Sequence, residues 1–344
     1  MKIVHINFTL ETGGIETMLV DILNEQCPHA ELHFVLINNQ FDSNLLARID
    51  SRVKVWQIGR PTGSRNPIYI ARLNALLLWL RPTVVHCHNH QIGRLLWQPT
   101  GQRCLTIHDV QVPVINFGRY HKLFAISNVV QQDIQARSGL TAQRIYNGIN
   151  TEDISAKTAY KSDKSFRIVQ ISRLQHGKKG QHILLEALQK LIYHDKLTHI
   201  RVEFVGEGDS LSYLQQLTQD WHLTDYVTFS GLKTRATLYK ELKDYHLLVQ
   251  PSLYEGFGLT VAEGMAAGVP VLVSNIDGPM ELIEDELYGY SFPVGDAVEL
   301  AQAIRKLVLG YESAAVRAKA TDARQRIRTI FDVRYTARQY LISY

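Results

Sequence analysis

Short apolar, β-branched runs alternate with helical segments along the chain, and this alternation is the strongest constraint on its fold. In the first half, strands are predicted at Lys2–Phe8, Glu31–Ile37, Val53–Ile58, Thr83–His88, Cys104–Ile107 and Leu123–Ile126, and helices after Gly13-Gly14 and at Ile68–Leu80 and Asn128–Arg137. Such alternation is typical of a doubly wound parallel sheet, in which ligands bind beyond the carboxyl ends of the strands. The sequence therefore predicts an α/β fold.

A polar segment, Thr151–Ser165, lacks apolar periodicity and is predicted to link two domains. A second series of strands follows at Phe166–Ser172, Val202–Val205, Val227–Ser230 and Val269–Val273, with helices at Ile183–Leu191, Leu259–Ala267 and Asp296–Leu309. A chain of 344 residues, 45% hydrophobic and 20% charged, suits two globular domains and is too polar to be embedded in a membrane. Met1–Phe8 fits a first strand better than a secretory signal.

A glycine turn before the helix at Leu259–Ala267 is the first candidate site. Gly256 and Gly258 precede this helix, so free N–H groups and the positive end of the helix dipole lie beside backbone without a Cβ. A diphosphate can bind to such a helix N-terminus. Glu255 and Glu263 flank the turn, and because phosphate would repel them, they are predicted to accept hydrogen bonds from the hydroxyls of a sugar diol. An ordinary strand, turn and helix with surface glutamates is the alternative.

A cationic turn follows the first strand of the second half. It runs from Ser172 through Arg173, Lys178 and Lys179 to Gly180, directly before an amphipathic helix. A guanidinium fork and a compact ammonium are suited to neutralising a leaving diphosphate. The turn predicts an anion site, and a solvated basic turn is the alternative.

The two glutamates with Gly-Phe-Gly between them, followed by Gly268-Val-Pro-Val and Glu281, resemble glycosyltransferase family 4. The resemblance implies the GT-B fold, two doubly wound Rossmann-like domains facing each other across a cleft. Residues 1–155 would be the acceptor-binding domain and residues 156–330 the nucleotide-sugar donor domain, with a C-terminal helix at about 331–344 returning to the first. Gly264 departs from the alanine usual in the family, which would loosen a short helix.

The resemblance also implies roles for individual residues. His108 would lie under the transferred sugar, Arg173 and Lys179 would neutralise the leaving diphosphate, and Glu255 would contact the sugar; these four form the predicted catalytic set. Glu263 would bind the ribose diol. The complete predicted donor site is Gly14, Arg173, Lys179, Gly206, Leu232, Glu255, Gly256, Phe257, Gly258, Leu259, Thr260 and Glu263.

The implied activity is that of a retaining, metal-independent hexosyltransferase. It would move a sugar from a nucleoside-diphosphate sugar, with UDP favoured, to a glycan or lipid-linked acceptor in bacterial lipopolysaccharide, capsule or surface-polysaccharide synthesis. No cofactor and no nucleic-acid partner are expected. Two alternatives stay open: a nucleotide-sugar epimerase or hydrolase of the same fold, and a non-catalytic donor-binding or scaffold subunit.

The histidines His86, His88 and His90 alternate at period two, so a strand would point all three the same way, as metal ligands might require. No carboxylate cluster accompanies them, and the sequence contains no Asp-x-Asp to hold a cation on a diphosphate. No metal site is therefore predicted. The histidines are interpreted as polar residues where a strand leaves the core for the cleft.

Basic charge is concentrated in the first half: residues 1–150 carry 14 Lys and Arg against 9 Asp and Glu. The helix at Ile68–Leu80 is bordered by Trp79 and by Arg65, Arg72 and Arg81, a pattern that suits an anionic membrane surface. A core helix with solvated arginines is the alternative. The scattered cysteines Cys27, Cys87 and Cys104 favour a reducing compartment. The expected location is cytoplasmic, with peripheral attachment to the inner face of the membrane as an option.

Overall fold

The computed structural model describes residues 1–11, 13–97, 101–161 and 165–344. In chain order, the strands are β1 Lys2–Asn7, β2 Glu31–Asn38, β3 Lys54–Arg60, β4 Val84–Cys87, β5 Gln102–Ile107, β6 Lys122–Ala125, β7 Gln143–Arg144, β8 Phe166–Ile171, β9 Ile200–Val205, β10 Val227–Phe229, β11 Leu247–Gln250, β12 Val271–Ser274 and β13 Tyr290–Phe292. Every strand pair is parallel.

The α-helices, in chain order, are α1 Gly14–Gln26, α2 Ser43–Leu46, α3 Pro67–Leu80, α4 Asn128–Ser138, α5 His176–Lys179, α6 Gln181–Gln189, α7 Leu211–Asp220, α8 Arg235–Glu241, α9 Leu259–Ala266, α10 Asp277–Ile283, α11 Ala297–Gly310, α12 Ala314–Ile330 and α13 Val333–Ser343. They connect the parallel strands, so the predicted α/β class with doubly wound sheets is confirmed.

The chain forms two compact units, Met1–Ile149 with Phe331–Tyr344, and Asn150–Ile330. Within the described residues, the first unit has a seven-stranded sheet of order β3-β2-β1-β4-β5-β6-β7, and the second a six-stranded sheet of order β10-β9-β8-β11-β12-β13. The strand order reverses between β1 and β4 in the first sheet and between β8 and β11 in the second. Ligands of open α/β sheets bind at such switch points, outside the carboxyl ends of the strands.

Helix α13 belongs to the first unit although it closes the chain. Ile149 N donates to Phe331 O at 2.9 Å, and Val333 N donates back to Ile149 O at 2.9 Å. The buried Tyr340 of α13 packs edge-on against Phe124 of β6, with ring centroids 5.2 Å apart. This helix therefore covers one face of the first sheet.

The segment predicted as a linker, Thr151–Ser165, lies in part outside the described residues, and its described portion is attached to the second unit. Ser155 N donates to Tyr239 O at 3.0 Å and Lys157 N donates to Ala267 O at 2.8 Å. Tyr160 is buried in the core of that unit. The units therefore divide at residues 149 and 150, ahead of the predicted boundary at 155 and 156, because backbone hydrogen bonds fix this segment without any apolar periodicity.

Candidate functional site

The cationic turn after β8 is fixed to the end of β11, its neighbour across the switch point. Leu253 N donates to Lys178 O at 2.8 Å, and the buried Gln170 amide donates to Lys179 O at 2.7 Å. Gly180 has a φ of 66°, and a Cβ on it would lie 1.9 Å from Pro251 O. Only glycine fits there, so the backbone carrying Lys179 is held directly beside the backbone carrying Glu255.

Lys179 and Glu255 form an ion pair through Nζ and Oε2. Their side chains are 17% and 18% exposed, so the pair is partly shielded from water but remains open to a ligand. The structure thus brings together two predicted catalytic residues that are far apart in sequence. An ammonium that neutralises a carboxylate here is positioned to neutralise an incoming anion instead.

The turn after Glu255 leads into α9 as predicted. Gly258 is the N-cap of α9 with a φ of 104°, a left-handed conformation that favours glycine. Gly256 and Gly258 are buried, and Leu259 and Thr260 are half-buried in the first turn of the helix. Phe257 is only 2% exposed, so its ring is part of the core. A donor contact by Phe257, as predicted, would therefore be made by its backbone.

Glu263, half-buried on α9, is held by a tyrosine that the sequence pattern did not indicate. Tyr239 Oη on α8 donates to Glu263 Oε1 at 2.9 Å. The Tyr239 ring is buried beneath the Arg235 guanidinium, whose Cζ lies 4.7 Å from the ring centroid. Burial, with the Glu263 charge beside it, raises the pKa of Tyr239, which therefore stays a hydrogen-bond donor. The carboxylate is thus fixed in one orientation.

The remaining predicted donor residues lie on the rim of the second unit, with one exception. Arg173 is exposed, and in the part of the chain that the structure describes its guanidinium makes no hydrogen bond. Gly206 N donates to Gly231 O at 2.8 Å, which sets the turn that carries the exposed Leu232. Gly14 begins α1 in the first unit, whereas the other predicted donor residues lie in the second unit.

His108 follows β5 in the first unit. Both of its ring nitrogens are buried and have no hydrogen-bond partner among the described residues. Burial lowers the pKa of His108 to about 4, so its imidazole is neutral near pH 7.

The structure groups His86 and His88 with His5 and not with His90. The ligand atoms of His5, His86 and His88 lie within 4.8 Å of one another, whereas His90 is outside the group. His5 and His86 are fully buried and His88 nearly so, so the interpretation that His86 and His88 face the cleft is wrong. The reason is that α13 covers this face of the sheet, which the strand pattern alone does not reveal.

Two doubly wound parallel units are the architecture of the GT-B fold. Among solved structures, the Anabaena protein Alr3699/HepE in complex with UDP and glucose matches with a TM-score of 0.84 at 22% identity, covering 100% of this chain and 99% of that one. A likeness at this identity concerns the fold.

Residues 151–324 match the family model "Glycosyl transferases group 1". The chain belongs to this family. The match covers the second unit almost entirely, including Lys179, Glu255 and Glu263.

Curated relatives are consistent with this membership. The amylovoran biosynthesis glycosyltransferase AmsK of Erwinia amylovora is 29% identical over 65% of this chain and 56% of its own length. The lipopolysaccharide 1,6-galactosyltransferase of Escherichia coli K12 is 22% identical over 87% of this chain and 86% of its own. Three of the relatives, AmsK among them, are matched over 39% to 56% of their own lengths.

Proposed function

We propose that this protein is a retaining, metal-independent glycosyltransferase that moves a sugar from a UDP-sugar to a glycan or lipid-linked acceptor. The observation that carries the proposal is the Lys179–Glu255 ion pair beside the N-terminus of α9, at the switch point of the second sheet. Family membership supports the reaction class. The UDP and glucose bound to Alr3699/HepE support the choice of nucleotide.

The donor diphosphate would lie against the N-terminus of α9, with Lys179 and Arg173 neutralising its charge. On donor binding, Lys179 transfers its interaction from Glu255 to the phosphate, and the Glu255 carboxylate becomes available to accept hydrogen bonds from the sugar hydroxyls. Glu263, held by Tyr239, accepts hydrogen bonds from both hydroxyls of the ribose diol. Preorganised charges in a partly shielded site stabilise the leaving diphosphate more than charges in water would.

Retention follows a front-face course in this proposal. The acceptor oxygen attacks the anomeric carbon on the face that the diphosphate leaves, and a departing phosphate oxygen takes the acceptor's proton. The neutral His108 would hydrogen-bond a hydroxyl of the transferred sugar, and no covalent nucleophile is assigned.

The acceptor is proposed from the relatives. One acts in amylovoran biosynthesis and another is a lipopolysaccharide 1,6-galactosyltransferase. A growing glycan on a lipid carrier, in surface-polysaccharide or lipopolysaccharide synthesis, fits both.

Peripheral attachment to an anionic membrane surface at the cytoplasmic side is proposed from helix α3. Leu73, Leu77 and Leu80 face the core and are not available to a membrane. The outward face instead exposes Trp79 and Ile68, 69% and 48% accessible, among the exposed arginines Arg65, Arg72 and Arg81. No helix in the described ranges has the length and apolar character needed to cross a bilayer. Each basic residue near an anionic surface contributes about 1 kcal/mol.

Flotation with phosphatidylglycerol-containing vesicles tests this attachment. We expect binding at low salt that is lost at high salt and lost in an Arg65/Arg72/Arg81→Glu variant. The charge-matched control changes three exposed arginines of the second unit, Arg201/Arg305/Arg328→Glu. This control variant should still bind the vesicles. If both variants bind the vesicles equally, the proposed membrane attachment through α3 is wrong.

Product analysis separates the proposed transfer from the two alternatives. With UDP-sugar and acceptor, mass spectrometry should detect the extended acceptor, and proton NMR should show the donor's anomeric configuration retained. Free sugar or an epimerised nucleotide sugar formed without acceptor would support a hydrolase or epimerase, and an inactive protein that binds donor would support a scaffold subunit. EDTA should leave transfer unchanged; inactivation reversed by manganese would contradict metal independence.

A further inference from the structure

Four histidines line one face of the first sheet, next to its switch point. His5 on β1 is paired in register with His86 on β4, and His88 lies two residues further along the same strand direction. His108 follows β5, the next strand. Side chains at period two share a face, so the four imidazoles form one column beneath α1 and α13.

The tautomer of His5 is set by Gln26 of α1. Gln26 Nε2 donates to Ala337 O at 3.3 Å, which orients the amide so that its oxygen faces His5 Nε2 at 2.9 Å. An amide oxygen only accepts, so His5 Nε2 carries the proton. Because burial lowers the pKa of His5 to about 4, the ring is neutral and Nδ1 has a lone pair.

The tautomer of His88 follows from that of His5. His88 Nε2 lies 3.0 Å from His5 Nδ1, and since Nδ1 can only accept, His88 Nε2 must donate. Neutral His88 then presents a lone pair on Nδ1. This atom is buried and has no hydrogen-bond partner among the described residues, which is costly for a buried acceptor.

His86 completes the column and leaves no nitrogen open for a metal. Its Nε2 is 2.7 Å from Thr106 Oγ1 and its Nδ1 is 2.6 Å from Tyr344 Oη. Metal binding by His5, His86 and His88 would require breaking the His5–His88 hydrogen bond and one bond of His86. The cluster is thus better satisfied as a hydrogen-bonded column than as a metal site.

The His108 ring, whose two nitrogens have no hydrogen-bond partner among the described residues, is a neighbour of the His88 ring. The hydrogen-bonded rings of His5 and His88 have centroids 5.3 Å apart and planes 15° apart. The rings of His88 and His108 have centroids 5.7 Å apart and planes 28° apart, nearly the same arrangement. Two neighbouring rings therefore each carry a buried nitrogen that has no partner among the described residues.

We propose that His88 is a positioning residue for His108: its Nδ1 accepts the N–H of His108 and fixes the His108 tautomer, so that the other His108 nitrogen accepts a hydrogen bond from a sugar hydroxyl. The sugar contact in this inference rests on the proposed function. The tautomers of His5 and His88 are independent of it. Within the column, the hydrogen bonds from His108 through His88 and His5 to Gln26 would then all be donated in one direction.

Nitrogen-15 NMR of the histidine rings in the full chain, without substrate, tests the column independently of activity. We expect neutral His5 and His88 rings with the proton on Nε2. A proton on His88 Nδ1, or a stoichiometric metal found by elemental analysis and lost together with the His5, His86 or His88 ring, would overturn the proposal.

Two substitutions at His88 then test its effect on His108. His88→Asn places an amide oxygen near the position of Nδ1 and should keep turnover within a few fold. His88→Gln places its amide near Nε2, keeps the donor to His5, and loses the acceptor toward His108; it should lower kcat about tenfold with donor KM unchanged. The reverse ranking, or equal losses, would contradict the proposal.

His108→Ala distinguishes a failure of the proposed sugar contact from a failure of the positioning role. If it leaves turnover unchanged, the sugar contact of the proposed function fails, and the positioning role fails with it even when NMR confirms the His5 and His88 tautomers. If His108→Ala lowers kcat while His88→Gln does not, the sugar contact stands and only the positioning role is overturned.

Discussion

The two switch points of this molecule have the same topology, but one carries charged side chains and the other neutral ones. At β8 and β11, a lysine and a glutamate form a partly exposed ion pair beside a helix N-terminus. At β1 and β4, buried and neutral histidines form a hydrogen-bonded column. Parallel sheets position residues at the same edge in both units, so the side chains and not the topology determine which ligand each edge suits.

Under the proposed function, this difference would give the two switch points separate roles, a division of labour. Charged groups near a helix dipole suit an anionic diphosphate, whereas neutral imidazoles suit uncharged hydroxyls, since they can accept hydrogen bonds without attracting phosphate. The first switch point would therefore contribute to the sugar and the second to the nucleotide. Breaking each region separately should produce different losses.

The largest effect is expected from Lys179→Ala. It removes the cation that neutralises the leaving diphosphate, and loss of one such group commonly lowers turnover about 100-fold. Turnover at saturating donor, measured by UDP release, checks the expectation. Lys178→Ala is the matched control; the Nζ of Lys178 lies over the Tyr254 ring at 4.6 Å from its centroid. Near-normal turnover in Lys179→Ala would show that Lys179 has no role in leaving-group departure.

A smaller effect is expected from Tyr239→Phe. The change deletes the hydroxyl that orients Glu263, a hydrogen bond to a charged group, so donor KM should rise about tenfold while kcat changes little. Tyr193→Phe, which removes a hydroxyl bonded to the His222 carbonyl at the surface of the second unit, is the control. Should kcat fall instead of donor affinity, Glu263 would belong to the reacting centre and not to the ribose site.

The smallest effect concerns stability in acid. Burial lowers the pKa of His5 and His108 to about 4, from an ordinary value of 6.5, and lowers the pKa of His86 and His88 as well. The unfolded chain then takes up protons first as pH falls, so stability is lost between about pH 6.5 and pH 4. The Tm should fall by several degrees from pH 7.5 to pH 5.

A matched pair of variants identifies the source of that loss. His5→Gln should reduce the fall in Tm because a group with a lowered pKa is removed, whereas exposed His29→Gln should leave it unchanged. An identical fall in wild type and His5→Gln would place the acid sensitivity outside the histidine column.

Much of the fold was predictable from local patterns, since each strand in these sheets is a short buried run. The prediction at Thr83–His88 brackets β4, and the prediction at Leu259–Ala267 matches α9 within one residue. Helix α8 was missed because it is only seven residues long and mostly polar, and such a pattern has no clear period.

The contacts between elements were not predictable in the same way. Tyr239 reaches Glu263 only because α8 packs near α9 in space, and His5 joins His86 only through strand pairing. Gly264 looked like a loosened helix residue, but a Cβ there would lie 2.8 Å from Leu248 Cδ1, so the glycine allows α9 to approach β11 closely. Sequence spacing indicates which residues share an element, and tertiary packing determines which elements meet.

Titration calorimetry of UDP against wild type, Lys179→Ala, Glu263→Gln and His108→Ala tests the division of labour most directly. We expect Lys179→Ala and Glu263→Gln each to weaken UDP binding about tenfold or more, because both residues would contact the nucleotide. His108→Ala should bind UDP as wild type does, since its ring would contact only the sugar. Loss of UDP binding in His108→Ala, with binding retained in Lys179→Ala and Glu263→Gln, would contradict the assignment of the nucleotide to the second switch point.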